Sequence, residues 1–566
     1  MNHPLSEKTE QRPLRIVLLA LSALLVAIHF YGLTDFPTGQ YHDESSLAYN
    51  AHSLAEYGTD EYGTSWPLFF RAFDNYFDPL IVYTLLPFYT LSDLSLAPLR
   101  LLNALIFMLS ACAFALLCLL IFPQRRWAYL GFCLYALMPW TFPLSRIALG
   151  GNNYMLLSLN LGLVFLIRTY QTRSNKAALL CALSFGIGLY SYHIARPFFA
   201  LFLLATALSM YPDRKHYTKV ASLFSAILLA LALPLFFYLF SGTSALTHRF
   251  AEVSLWHQSQ SLGHFAFELL KNYLGYFDPR FLFFHGDINL RHHTGLGGQL
   301  FLFMAPLILV GLYRNIKSLK ASAVSRLVFL GLVLSPLPAA LTADPMHGPR
   351  SMHMMIFYLL FALYGAESLL DRIKEKKLIS ILMLLLMTFE CSLYIKDYFS
   401  EDYQRRLAPF MHEHINRALH VALEESRGED VIHVSRSAFP FADAQFKPHI
   451  YSHMLFHTKI SPQDYQRSGL SARIRPYNQN TAELGLLLRA NLVPAQGNPD
   501  QPFRKNGETL PMGAILVQRL PIGIDTLAYY TFLPHGEIME SLNKIGVEGF
   551  AFEIWRIAPA EQGVEP

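Results

Sequence analysis

Apolar residues gather in long runs along this chain, and short polar segments separate the runs. A helix needs roughly 20 mostly apolar residues to cross a bilayer. The runs that approach this length lie at about 15–32, 100–122, 128–144, 154–170, 177–193, 196–211, 218–240, 299–313, 323–342, 351–370 and 378–396. The pattern predicts an α-helical polytopic membrane protein with about eleven transmembrane helices.

One further apolar stretch, residues 78–96, contains Pro79 and Pro87. Basic residues collect in cytoplasmic loops. If the stretch lies along the membrane surface, every second loop is basic, and so is the N-terminal tail. The two prolines also suit a broken surface helix. The charges therefore predict a cytoplasmic N-terminus and an extracytoplasmic C-terminus. We expect the first span to be retained, because no small-residue cleavage site follows it.

This topology divides the chain into three parts. Residues 1–14 form a cytoplasmic tail, 15–396 the transmembrane domain and 397–566 an extracytoplasmic C-terminal domain. Within the transmembrane domain, residues 33–99 and 241–298 become large extracytoplasmic loops, and we expect surface helices in the first.

The C-terminal part has only short apolar runs. A helix is predicted at about 400–425, and the runs VIHVS and GAILVQRL are typical of strands. The final segment, GEIMESLNKIGVEGFAFEIWRI, has the pattern of a helix followed by a strand. Together they predict a small soluble α/β domain.

Composition agrees with a membrane protein. Of 566 residues 53% are hydrophobic and only 15% charged, against roughly 25% charged in an average soluble protein. The net charge of +4 is small and dispersed, so nucleic acid is not an expected partner. The five cysteines all lie in apolar runs, which argues against a disulfide framework.

Two acidic residues, Asp43 and Glu44, open a predicted helix that runs to about Tyr57 in the first outer loop. Acidic side chains are favoured at helix N-termini, where they cap the helix. A carboxylate near the outer membrane face could instead act as a general base. Spacing alone leaves both interpretations open.

The sequence around these residues resembles a known family. Tyr41–Glu44 with Tyr49, followed by Glu56–Gly63, resembles the first outer loop of the GT-C glycosyltransferases. The branch is that of protein O-mannosyltransferases and lipid A aminoarabinose transferases, and bacterial members fit best. Further segments that fit, between about residues 30 and 370, are Pro98–Leu101, Pro139–Trp140, Ser145–Arg146, Tyr190–Tyr192, Arg196–Pro197, Phe281–Phe283, Gly286–Asp287, Gly295, His347 and Arg350.

This resemblance implies the GT-C fold and a transferase of the inner (plasma) membrane with its site on the extracytoplasmic face. The donor would be a sugar on a polyprenyl phosphate, transferred with inversion. Asp43 would be the catalytic carboxylate, with Glu44 beside it positioning metal or acceptor. Tyr49, Tyr192 and His347 would contact substrate. Membrane lipid is an expected partner, and the acceptor is left open between protein, lipid and glycan.

The chain departs from the family pattern in one place. Many relatives carry a second acidic residue shortly after the Ser-Arg of the next outer loop. Here Ser145–Arg146 is followed by the amides Asn152 and Asn153. We therefore assign no metal site and no cofactor, and leave a divalent cation open.

Four arginines stand singly at predicted outer helix ends: Arg100, Arg146, Arg196 and Arg350. In a transferase of this kind the leaving phosphate gains charge, and the planar guanidinium pairs well with phosphate oxygens. Each arginine could instead extend toward lipid headgroups. We predict donor-phosphate contact for the four, with Arg196 and Arg350 foremost.

Two other functions remain as alternatives. One is a transporter or flippase, which usually shows paired halves and ionisable groups near the bilayer midplane. In this chain the ionisable groups gather at outer helix ends and loops, which favours an enzyme. The other is a polymerase or ligase that acts on lipid-linked glycans.

Overall fold

We describe the fold from a computed structural model of the chain. The described residues are 20–73, 75–209, 214–240, 253–259, 261–372, 376–408, 410–413, 416, 419–420, 423, 431–434, 450–468, 474–476, 485–492, 503–505, 508–510, 524–532 and 550–557. The predicted cytoplasmic tail, the start of the first span, the GAILVQRL run and the helical part of the final segment lie outside them.

The N-terminal third begins with one apolar helix and a loop that carries further helices and a short hairpin. These elements are α1 (Ala20–Phe30), α2 (His42–Tyr57), β1 (Phe70–Ala72), β2 (Asn75–Phe77) and α3 (Pro79–Tyr89). The helices that follow are α4 (Leu96–Ile121), α5 (Arg126–Leu137), α6 (Phe142–Arg146), α7 (Asn152–Thr172), α8 (Asn175–Gly188), α9 (Ala195–Ser209) and α10 (Arg214–Phe240).

The second half continues with helices as far as residue 398. They are α11 (Leu255–Gln258), α12 (Leu262–Gly275), a π-helical turn (Arg280–Phe284), α13 (Met304–Ser318), α14 (Ala323–Leu334), α15 (Leu337–Ala340), α16 (Gly348–Ser351), α17 (Met354–Arg372) and α18 (Lys376–Tyr398). The described C-terminal elements are α19 (Glu401–Leu407), β3 (Val431–Val434), α20 (Ile450–Thr458), α21 (Pro462–Ser468), β4 (Ile474–Pro476), β5 (Gly485–Leu492), β6 (Phe503–Lys505), β7 (Glu508–Leu510), β8 (Ile524–Phe532) and β9 (Phe550–Ile557).

A helix lies on each of the apolar runs predicted to span the membrane. Several of these helices are shorter than predicted. In two of them the helix ends just before a proline, which lacks the N–H that continues a helix: α5 ends before Pro139, and α14 ends before Pro336. Among the described residues, four helical stretches are long and apolar enough to cross a membrane: Leu96–Ile121, Thr218–Tyr238, Ala323–Ala340 and Met354–Asp371. The chain is therefore a membrane protein.

Helices α13 and α17 pack with their backbones in contact. A Cβ added at Gly311 would lie 1.8 Å from the carbonyl oxygen of Phe361, and one added at Gly365 would lie 1.9 Å from that of Leu307. Glycine on both helices permits this approach, as is common between helices in membranes.

The described chain divides into two compact units. The membrane unit comprises Met1–Pro37, Phe69–Thr84 and Ala97–Ser400. The loop–tail unit comprises Thr38–Leu68, Leu85–Leu96 and Glu401–Pro566. The first outer loop segment that carries Asp43 thus belongs to the same unit as the C-terminal residues.

The loop–tail unit contains a mixed five-stranded sheet in the order β4-β3-β5-β9-β8. Strand β3 runs parallel to β4 and β5, whereas β9 pairs antiparallel with β5 and β8. Strands β3 and β9 coincide with two of the runs predicted as strands.

Candidate functional site

Helix α2 begins with a hydrogen-bonded cap that uses Glu44. The carboxylate of Glu44 accepts a hydrogen bond from the backbone N–H of Tyr41 at 3.2 Å, and the N–H of Ser45 donates to the carbonyl of Tyr41 at 3.1 Å. This is the reciprocal half of a capping box, which stabilises a helix start. Glu44 is completely buried, so its carboxylate is committed to holding the helix.

Asp43 has a different environment from its neighbour. Its side chain is 23% exposed, and its Oδ1 lies 3.3 Å from Nε2 of His42. A carboxylate that substrate can reach can accept a proton from it, whereas a buried cap cannot. The two adjacent acids, which spacing alone does not separate, therefore differ in what they can do.

C-terminal residues hold the N-terminal half of α2 from within the loop–tail unit. The hydroxyl of Ser45 lies 2.7 Å from Nδ1 of His453, and Nε2 of His453 lies 3.0 Å from Nδ1 of His412. The rings of His42 and His412 stack with their centroids 5.2 Å apart. Residues beyond 400 thus form the surroundings of Asp43, a contribution that the sequence did not indicate.

Tyr49, predicted to contact substrate, is buried in the same unit. Its hydroxyl donates to the carbonyl of Ile460 at 2.6 Å. Burial and the nearby carboxylate of Glu61 raise the pKa of Tyr49 above its ordinary value, so the phenol stays protonated. These contacts favour a structural role for Tyr49.

Glu61 connects α2 to α20. Its carboxylate accepts hydrogen bonds from the hydroxyl of Tyr451 at 2.6 Å and from Nδ2 of Asn50 at 3.3 Å. Glu61 is completely buried. Its charge therefore depends on these donors for the solvation that water would otherwise give.

Tyr451→Phe should lower the thermal midpoint of the purified protein, because the buried Glu61 loses a hydrogen-bond donor. Leaving a buried charged acceptor short of a donor costs ~1–3 kcal/mol or more. Tyr57→Phe is the matched control, because Tyr57 lies on the same helix α2 and is 44% exposed. Equal midpoints for the two variants would contradict a stabilising role for this hydrogen bond.

Arg100 and Arg146 are completely buried in the membrane unit and bind backbone carbonyls. Arg100 donates to the carbonyls of Leu33 and Pro37 at 3.0 and 2.8 Å. Arg146 donates to the carbonyls that follow or end α1, namely those of Ile28, His29, Tyr31, Gly32 and Phe36. Arg146 thus satisfies acceptors at the C-terminus of α1, where cations are favoured, and Arg100 binds the loop that follows it. These contacts favour a structural role for both arginines.

Arg196 and Arg350 each pair with an aspartate of the membrane unit. Arg196 forms an ion pair with Asp78 and retains 22% exposure. Nη1 of Arg350 lies 2.9 Å from Oδ2 of Asp344, whose side chain is 62% exposed. The side chain of Arg350 itself is only 6% exposed. Each of the two arginines nevertheless pairs with a carboxylate that a phosphate could replace, so these two remain the candidates for phosphate.

The other residues predicted at the site lie in the membrane unit. Tyr192 is largely buried, and its ring lies 4.2 Å from that of His193 between centroids. Asn153 donates to the side chain of Asn103 at 3.0 Å, whereas both amide atoms of Asn152 are buried with no hydrogen-bond partner among the described residues. Both amides are thus interior groups.

His347 lies in a polar cluster that the sequence did not reveal. Nδ1 of His292 is 2.8 Å from Oδ2 of Asp287, and the rings of His292 and His347 are 4.9 Å apart between centroids. Burial lowers the pKa of both histidines, so both rings are neutral at neutral pH. Hydrogen bonds to Asp287 hold its pKa below the ordinary value despite burial. Asp287 and His292 lie five residues apart in one loop, whereas His347 comes from a later segment of the chain.

Comparison with known proteins identifies the fold. No protein-family model matches the chain, and no curated protein matches it. The structure of ArnT from Cupriavidus metallidurans in the apo state is similar with a TM-score of 0.52 and 10% identity, over 98% of this chain and 100% of that one. The same protein bound to undecaprenyl phosphate gives 0.50 and 10% over 98% and 99%. The chain therefore has the fold of these ArnT structures.

Proposed function

We propose that the chain is a membrane glycosyltransferase that moves a sugar from a polyprenyl-phosphate donor to an acceptor hydroxyl or phosphate. The observation that carries the proposal is the shared fold over 98% of the chain with ArnT, one structure of which is bound to undecaprenyl phosphate. The sequence motifs of the first outer loop support the same activity independently.

Asp43 is the general base of this proposal. An acceptor hydroxyl must lose its proton as its oxygen attacks the anomeric carbon, and the polyprenyl phosphate leaves from the opposite face, which inverts that carbon. Asp43 fits the role because its carboxylate is partly exposed at the start of α2, whereas that of Glu44 is buried in the cap. A positioned base contributes ~10²–10⁴-fold to such a step.

Arg196 and Arg350 stabilise the departing phosphate. Each would give up its aspartate partner and donate two hydrogen bonds to phosphate oxygens, which suit the guanidinium fork. The increase in negative charge on the leaving group makes this contact stronger in the transition state than in the bound donor. Arg100 and Arg146 hold the segment that follows α1.

The site faces the extracytoplasmic side of the inner membrane in this proposal. The basic loops support a cytoplasmic N-terminus, which after eleven spans puts the C-terminus outside. A reporter that is active only in the cytoplasm, fused after Pro566, should therefore give no signal. The same reporter fused within the loop that holds Arg314 and Lys317 is the positive control, and a signal from the Pro566 fusion would reverse the topology.

The acceptor class can be determined by direct assay. Purified protein should transfer sugar from one member of a panel of polyprenyl-phosphate sugars to a protein, lipid or glycan acceptor, detected by mass analysis of the acceptors. Transfer from none of the donors, with folded protein and each acceptor class present, would contradict the proposed function.

A further inference from the structure

Three side chains of the membrane unit converge on one point, and the proposed catalytic residue Asp43 is not among them. Asp287, His292 and His347 each offer one ligand atom, and these atoms lie within 4.8 Å of one another. Asp287 and His292 are 6% and 4% exposed. Two imidazoles and one carboxylate are a donor set typical of zinc, which also tolerates their low exposure.

Two polar groups at this cluster have no hydrogen-bond partner among the described residues. One is Nδ1 of His347, and the other is the whole amide of the completely buried Gln299. A Cβ added at Gly348 would lie 3.0 Å from Oδ2 of Asp287 and 3.3 Å from Nε2 of Gln299, so both side chains lie beside Gly348. Buried polar atoms without partners call for an explanation, and a cation here would supply one.

We propose that Asp287, His292 and His347 bind a zinc ion, with the amide oxygen of Gln299 or a water molecule completing four ligands. The contact of 2.8 Å between His292 and Asp287 would open to admit the ion. His292 and Asp287 would then coordinate the metal. A metal ligand at Gln299 would be its amide oxygen.

The ion would join two segments that are distant in sequence. Oδ2 of Asp287, the oxygen that faces His292, also accepts a hydrogen bond from the N–H of Gly348 at 2.7 Å, and Trp140 donates to the carbonyl of Gly348 at 3.0 Å. Residue 348 opens α16, which carries Arg350. A metal at this point fixes the position of α16, so its role is structural and its detection does not depend on sugar transfer.

Metal analysis of the purified full-length protein tests the proposal. After growth with zinc and removal of loosely bound metal by desalting, the wild type should retain about one zinc per chain, whereas His292→Ala and His347→Ala should retain little. His285→Ala is the matched control, because His285 lies exposed in the same loop, and it should retain the wild-type amount. Zinc content unchanged in both ligand variants would overturn the proposal.

A measurement on the wild type covers the case in which the ligand variants do not fold. Protein stripped with a chelator and reloaded with cobalt(II) should show the intense visible absorption of four- or five-coordinate cobalt, and zinc should displace it. Zinc should also raise the thermal midpoint of the stripped protein, because the folded state binds the ion. Cobalt that stays in its six-coordinate aqueous form would overturn the proposal.

Discussion

Asp43→Asn should lower donor turnover by about 10²–10⁴-fold, the contribution expected of a general base. The amide is close in size to the carboxylate and can still help to cap α2, so the variant should fold and bind donor nearly as the wild type does. Asparagine cannot accept a proton at working pH, and the acceptor would therefore attack without help. The measurement is turnover at saturating donor.

Glu44→Gln is the matched control for this prediction. The amide oxygen of glutamine can accept the hydrogen bond that Glu44 receives from the N–H of Tyr41, so the cap survives. We expect a modest loss of stability and turnover close to that of the wild type. Wild-type turnover by Asp43→Asn would contradict the mechanism, and a larger loss in Glu44→Gln would assign the base to Glu44.

Arg196→Ala and Arg350→Ala should each weaken donor binding by ~1.5–3 kcal/mol, the usual worth of a hydrogen bond to a charged group. This corresponds to roughly a 10- to 150-fold higher dissociation constant. Lysine at either position should restore only part of the affinity, because it lacks the planar fork. Binding of a polyprenyl-phosphate sugar to protein in detergent is the measurement.

Two further variants distinguish the loss of a phosphate contact from the loss of the ion pair between Arg196 and Asp78. Asp78→Asn removes the partner of Arg196 and leaves the guanidinium in place, so donor affinity should stay the same or rise. Arg405→Ala removes an exposed arginine that pairs with Glu401, and affinity should not change. If Asp78→Asn weakens donor binding as much as Arg196→Ala does, the ion pair rather than phosphate contact accounts for the loss.

The membrane helices could be predicted because their signal is local. An apolar run of sufficient length identifies a span without knowledge of its neighbours, and helices lie on all the predicted runs. The errors are at helix ends, where Pro139 and Pro336 stop the hydrogen-bond ladder before the apolar run ends. A helix also lies at Pro79–Tyr89, within the stretch for which the sequence predicts a surface helix.

The composition of the loop–tail unit was not predictable in the same way. Sequence patterns place α2 in the first outer loop and α20 far along the tail, and no periodicity links them. The contacts of Ser45 with His453 and of Glu61 with Tyr451 span about 400 residues. Such pairs form through tertiary packing, which a single sequence does not encode as a visible spacing.

The contacts of the four arginines could not be predicted from the sequence either. All four look alike in the sequence, as single cations at outer helix ends. The structure separates them by partner: Arg100 and Arg146 bind carbonyls that local patterns do not mark, and Arg196 and Arg350 pair with aspartates. The hydrogen-bond partner of each arginine, which the sequence does not show, therefore distinguishes the four.

Release of free polyprenyl phosphate shows directly whether the chain transfers sugar from a polyprenyl-phosphate donor. Purified protein would be mixed with a polyprenyl-phosphate sugar labelled in the lipid, together with the acceptor classes, and the lipid products would be separated. If Asp43 is the general base of a transferase, the wild type should release free polyprenyl phosphate and Asp43→Asn almost none. Movement of intact donor across reconstituted vesicles, with no free polyprenyl phosphate formed by the wild type, would contradict a transferase and identify a transporter.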